Sequence, residues 1–284
     1  MKKILFIPLF LTMTLFGKLN VVVSILPEKT FLEAIGGDKV NVALMVMPGN
    51  SPHTYEPKPS QMIDIAQAQL YFAIDVEFES VWLPKFQSLN PKMKVVDLDE
   101  GIEKMVMEEQ EHEAHIHHSH DHHGEDPHIW TTPHNVKHIA QNIATQLQTI
   151  DPANAEYYQH NLDLFVALAE QTDQKIRQIF SSFQGGETFM VLHPSWGYFA
   201  KAYGLRQIAV EIEGKEPKPK ELIHLLKEAR EAQVKAIFIQ PEFSDNAAKI
   251  IAKELAIPVI KVTPLAADWS ENLLMIAKAI ATGK

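Results

Sequence analysis

The 284 residues are 46% hydrophobic and 22% charged, an ordinary globular composition with enough apolar mass for one large core or two modest ones. A formal net charge of −10 argues against a nucleic-acid partner and favours cations, although salt screens such a field within about 8 Å. No cysteine is present, so disulfides and a lipid-attachment thiol are excluded within this sequence.

The chain opens with MKKILFIPLFLTMTLFG, in which Lys2 and Lys3 precede an apolar run from Ile4 to Phe16 and a small residue, Gly17. This is the pattern of a secretory signal peptide. The run is too short to cross a bilayer, which takes about 20 residues, and no other stretch is long and apolar enough. The mature chain is expected outside the cytoplasm, in the periplasm of a two-membraned bacterium, as a monomer without membrane insertion.

Beyond the signal, strand and helix patterns alternate. Residues 19–26 (LNVVVSIL) predict a buried strand, 29–35 a short helix, and 40–47 a second strand. Residues 59–69 have helical spacing, 70–74 a third strand, 81–89 a helix, and 94–98 a fourth strand. After a His-rich loop, residues 133–150 predict a helix. Strands alternating with helices argue for parallel βαβ units. From Pro152 to Phe183 no Pro or Gly interrupts a helical pattern, which predicts one helix of about 45 Å. The alternation then restarts, with strands at 188–192, 206–212, 236–240 and 258–262. Helices are expected at 196–203, 218–232, 245–255 and 269–281. The fold class expected is α/β, two similar βα lobes of about four parallel strands each, joined by one long rigid helix. The divisions are a signal at 1–17, a first lobe at 18–151, a linking helix at 152–184 and a second lobe at 185–284.

The loop at 109–126 holds half of the 14 histidines: His112, His115, His117, His118, His120, His122 and His123. His-rich tracts collect metal through imidazole, and these rings repel metal once protonated below about pH 6.5. Four further candidates sit where open α/β sheets bind ligands, in loops at the carboxyl ends of strands. His53 lies in S-P-H-T-Y-E-P, His128 in D-P-H-I-W, His193 in H-P-S-W-G-Y-F and Asp268 in P-L-A-A-D-W. Three imidazoles and a carboxylate form a tetrahedral set suited to Zn²⁺, with Zn–N near 2.0–2.1 Å. Taken alone, each His more often serves structure, and Asp268 is also a plausible helix cap.

In these four motifs, their order and their spacing, the chain resembles the ZnuA-like zinc-binding proteins of bacterial metal ABC transporters, from about Leu19 to the end. The resemblance implies two lobes around a metal held by His53, His128, His193 and Asp268, and a membrane permease as partner. Manganese-preferring members carry Glu at the third position, so His193 points to zinc. Pro52 stands where some zinc-type members have Glu. The expected function is high-affinity zinc capture and delivery for uptake, with the histidine loop as a lower-affinity collector.

Other chemistries are weaker. His134 and His138 are spaced like H-E-x-x-H, but position 135 is Asn, so a metalloprotease base is missing. Ser195 is not in G-x-S-x-G, and no P-loop occurs. A zinc hydrolase needs an open fourth position on the metal, so that reading depends on Asp268 not touching it. A surface adhesin or metal buffer is a third reading.

Overall fold

A computed structural model describes residues 17–107, 124–212 and 215–283. The signal segment 1–16 and the seven loop histidines lie outside the described residues. In the first lobe β1 (Leu19–Val23), β2 (Val40–Leu44), β3 (Leu70–Ala73) and β4 (Lys94–Asp97) form a parallel sheet in the order β2-β1-β3-β4. The second lobe repeats this order with β5 (Thr188–Val191), β6 (Arg206–Ala209), β7 (Ile237–Ile239) and β8 (Val259–Lys261), as β6-β5-β7-β8. Each sheet has a switch point beside its first strand, where successive connections leave in opposite directions. The crevice at such a point is where ligands bind in these folds.

The helices of the first lobe are α1 (Leu26–Gly36), α2 (Pro59–Gln67), α3 (Glu77–Leu89) and α4 (Pro133–Ile150). α5 spans Ala155–Ile179, and the second lobe adds α6 (Gly197–Tyr203), α7 (Pro219–Glu231), α8 (Asn246–Leu255) and α9 (Trp269–Thr282). Local chemistry sets their ends. Pro133 opens α4, and the Thr132 hydroxyl accepts from Asn135 N–H. Gly204 closes α6 in the left-handed region at φ 66°, where a Cβ would be strained. β1 is shorter than expected because Pro27 and the inward carboxylate of Glu28 start α1 at Leu26.

The linking helix is also shorter than its sequence pattern. Pro152–Asn154 form a separate 3₁₀ turn, held because the Asp151 carboxylate accepts from Asn154 Nδ2 and Tyr158 Oη, both at 2.7 Å. α5 then runs 25 residues, about 38 Å, and ends where Phe180 and Phe183 fold back with ring centres 5.1 Å apart.

α9 returns from the second sheet to pack on α5. The Trp269 ring sits edge-on to Phe31 of α1 at 5.7 Å and near Phe165 of α5 at 6.4 Å. Its indole N–H donates to Trp130 O (2.7 Å), and the Trp130 indole donates to Pro264 O (2.8 Å). One apolar core therefore runs from the first sheet through α4 and α5 to α9 and into the second lobe. A smaller cluster around Met190, Ile208, Leu225 and Ile251 fills the other face of the second sheet.

Two carboxylates are buried at the first switch point. Ser24 and Ile25 N–H donate to Glu28 Oε2 at 3.0 and 2.8 Å. Ile74 and Asp75 N–H donate to Glu79 at 2.8–3.2 Å, and the Ser24 hydroxyl joins Glu79 to Tyr71 Oη. Burial pushes both carboxyls up, Glu79 to about 7, and the Glu79 charge raises Glu28 further. Between the unfolded carboxyl range near pH 4.5 and about pH 7 the folded chain holds a proton that the unfolded chain releases. The Glu79 contribution to stability should therefore fall as pH rises through that window. Glu79→Gln imitates the protonated form, with its amide toward Ser24. The variant is expected to flatten this fall and to be more stable than the parent at pH 8, by on the order of 2–3 kcal/mol. Urea midpoints at pH 5 and pH 8 check it, and an unchanged slope contradicts it.

Candidate metal centre

His53 sits in the loop after β2. Its N–H donates to Ser51 Oγ (3.2 Å), and the loop is tied down by Gln61, which donates to Leu44 O and Met45 O and accepts from Tyr55 Oη (2.9 Å). His128 precedes the 3₁₀ turn Ile129–Thr131 that leads into α4. His193 follows β5 at the second switch point. Its N–H donates to Gln240 Oε1 (3.2 Å), just past β7.

These three loops converge between the lobes. The His53 and His193 rings are 5.1 Å apart and the His128 and His193 rings 5.4 Å apart. All three line one cavity of about 30 Å³ at the cleft, with Glu77, Glu242, Phe243 and Trp130 among its walls. That space is the size of a single water or ion. Phe243 stacks on His193 at 5.0 Å and tilts over His53 at 6.2 Å, so the centre is dry on that side.

Each imidazole is oriented by a carboxylate on its far nitrogen. Nδ1 of His53 meets Glu77 Oε2 at 2.7 Å, Nδ1 of His128 meets Asp126 Oδ1 at 2.7 Å, and Nδ1 of His193 meets Glu211. The same Asp126 oxygen also accepts from His128 N–H (2.9 Å). A carboxylate on Nδ1 places the proton there and leaves the lone pair on Nε2, the arrangement that orients histidine toward metals. His193 Nε2 is buried and has no hydrogen-bond partner. An orphaned nitrogen lone pair in a cavity shared with two more imidazoles fits a cation of the zinc class.

Asp268 is the fourth member of the expected set. It is exposed and does not line the cavity. Trp269 is drawn into the core between Phe31 and Phe165, and the residue before it is left on the solvent side at the first turn of α9. Glu242 lines the cavity instead, half-buried, its Oε1 accepting from Thr263 Oγ1 at 3.2 Å. Trp130 lines the cavity with its ring 5.3 Å from His128, whereas Trp196 and Trp269 are buried and do not line it. Ser195 is fully buried, its hydroxyl bonded to His193 O and Gln240.

Of the orienting carboxylates, Asp126 lies two residues before its histidine, a spacing visible in the sequence. Glu77 and Glu211 lie 24 and 18 residues from their histidines and carry no local signal. Glu211→Gln is expected to weaken metal binding by about 10–100-fold while leaving the fold intact, because it frees the His193 ring and its tautomer. Isothermal titration with zinc checks this, and unchanged affinity would deny Glu211 the role.

Residues 21–283 match the family model described as ZnuA, the periplasmic component A of a zinc-uptake complex. The chain belongs to the ZnuA family. It is 33% identical over 243 residues to the high-affinity zinc uptake system protein ZnuA of Bacillus subtilis, covering 84% of this chain and 76% of that protein. It is 29% identical to the manganese ABC transporter substrate-binding lipoprotein PsaA of Streptococcus pneumoniae, covering 85% and 78%. A crystal structure of a ZnuA superposes with a TM-score of 0.84 at 40% identity, covering 93% of this chain and 98% of that one. A ZnuA deletion mutant with zinc bound superposes at 0.85 and 39% identity, covering 94% and 98%. The two-lobe α/β fold and the role of an extracytoplasmic substrate-binding component of metal uptake, both expected from the sequence, are those of the ZnuA family.

Proposed function

We propose that this protein captures Zn²⁺ between its lobes through Nε2 of His53, His128 and His193 and delivers it to the permease of an ABC transporter. The observation that carries this is the buried, unpartnered Nε2 of His193, held toward the shared cavity by Glu211. Three nitrogen donors form a softer set than the oxygen-rich surroundings manganese prefers, which favours zinc although some relatives are named for manganese. Water or the Glu242 carboxylate takes the fourth position, and Asp268 stays outside. The histidines at 112–123 act as a weaker collector. The mature chain works as a monomer in the periplasm. Several relatives are named lipoproteins, but this sequence has no thiol to acylate.

A three-nitrogen centre with an open fourth position also suits catalytic zinc. That reading predicts hydrolysis of activated esters by the zinc-loaded chain above the zinc-free rate. The transport reading predicts none.

The proposal is tested by competition titration with Zn²⁺ and Mn²⁺, using the full mature chain and a form lacking residues 112–123. One tight zinc site that survives the deletion and resists manganese supports the cleft. Loss of all tight binding moves the chemistry into the loop and makes the protein a metal buffer.

A further inference from the structure

A second pair of histidines lies apart from the cleft. His134 and His138 are four residues apart on α4, both exposed, with ring centres 5.1 Å apart. Among the described residues, each ring's contact is with the other. Both line a solvent-open cavity of about 510 Å³ together with Glu103, Met105 and Tyr198. Tyr198 separates this cavity from the cleft: its hydroxyl donates to Asp126 O (2.9 Å) and accepts from Met105 N–H (3.0 Å). The cavity therefore backs onto the backbone of Asp126, the residue that orients His128, without sharing a residue with the cleft's donors.

We propose that His134 and His138 form a second, weaker site for Zn²⁺ or a similar imidazole-seeking divalent ion, with water completing its coordination and Glu103 adding negative charge in the same cavity. Two imidazoles one helical turn apart on one face can bind one ion together, the spacing used in helical zinc sites. Once one ring holds the ion, the second binds it intramolecularly, which raises affinity without any further contact.

The charges around the pair allow this. Arg177 borders the cavity, but its Nε pairs with Asp173 (2.8 Å) and its guanidinium lies over Tyr203. Lys137 pairs with Glu170 at 3.4 Å. Lys201 remains as an opposing cation. The N-terminal dipole of α4 also opposes a cation. Those two terms are why the site is weaker than the cleft.

Its position has a use. Met107 N–H donates to Gly124 O (3.3 Å) and Val106 bridges Glu125, so the His-rich segment leaves and rejoins the fold next to Met105 in the cavity wall. The pair thus offers a fixed binding point for a second ion at the root of that segment.

The test follows the imidazole resonances of the full mature chain by nuclear magnetic resonance during a zinc titration. His193 reports the cleft separately, so failure of the cleft reading does not mask the result. His134 and His138 are expected to shift together with one midpoint after the first equivalent. In His134→Ala the His138 midpoint is expected to rise at least about tenfold. Separate midpoints for the two rings, no response at millimolar zinc, or an unmoved His138 midpoint in His134→Ala would each overturn the proposal.

Discussion

Replacing His193 with alanine is expected to weaken zinc binding by more than about a hundredfold, equivalent to roughly 3 kcal/mol. The substitution removes one of three nitrogen donors from a site of a class worth on the order of 10 kcal/mol or more. It also strips Glu211 of its partner and leaves that largely buried carboxylate facing an emptied pocket. The loss should exceed that of Glu211→Gln, which disturbs the ring but keeps the donor. Competition against a chromophoric chelator measures it, with urea unfolding of the metal-free variant as the control for folding. A loss of less than about tenfold, in a variant that folds normally, would mean that the metal binds elsewhere.

Trp269→Ala is expected to cost about 3–5 kcal/mol of stability, the range for emptying a buried large aromatic site. The indole closes the gap between α1, α5 and α9 and supplies the one hydrogen bond that Trp130 O receives from the second lobe's last helix. Trp269→Phe keeps most of the packing and loses that bond, so it should cost nearer 1–2 kcal/mol. Because Trp130 lines the metal cavity, the alanine variant should also weaken zinc binding, through a displaced wall rather than a missing donor. Urea unfolding in the metal-free state separates the two effects. A cost below about 1 kcal/mol would show that the lobes do not share a core at this residue.

Much of this arrangement could be read from the sequence because it is periodic and local. Eight short apolar runs separated by helical patterns became eight parallel strands, and α4 falls at Pro133–Ile150 as its spacing predicts. His53, His128 and His193 were expected near one another because each lies in a loop between a strand and a helix, and their rings do come together. Asp268 shares that context but is exposed and does not line the cavity. Position along the chain places a residue near a cleft, but the direction of its side chain was set by Trp269, whose aromatic partners come from residues 31 and 165. The same limit hid Glu77 and Glu211, which reach their histidines only after the sheets assemble. The ends of α5 differ from the sequence pattern for a related reason. The pattern from 152 to 183 is helical throughout, but Asp151 captures the first turn with two side-chain bonds and the Phe180 and Phe183 rings bend the last.

The most direct test is to crystallise the mature chain with one equivalent of zinc and locate the ion by anomalous scattering at its absorption edge. The account predicts a single strong peak between the lobes, about 2.0–2.1 Å from Nε2 of His53, His128 and His193, with water or Glu242 completing a tetrahedron. A peak outside that triangle, or coordination lacking His193, would contradict it.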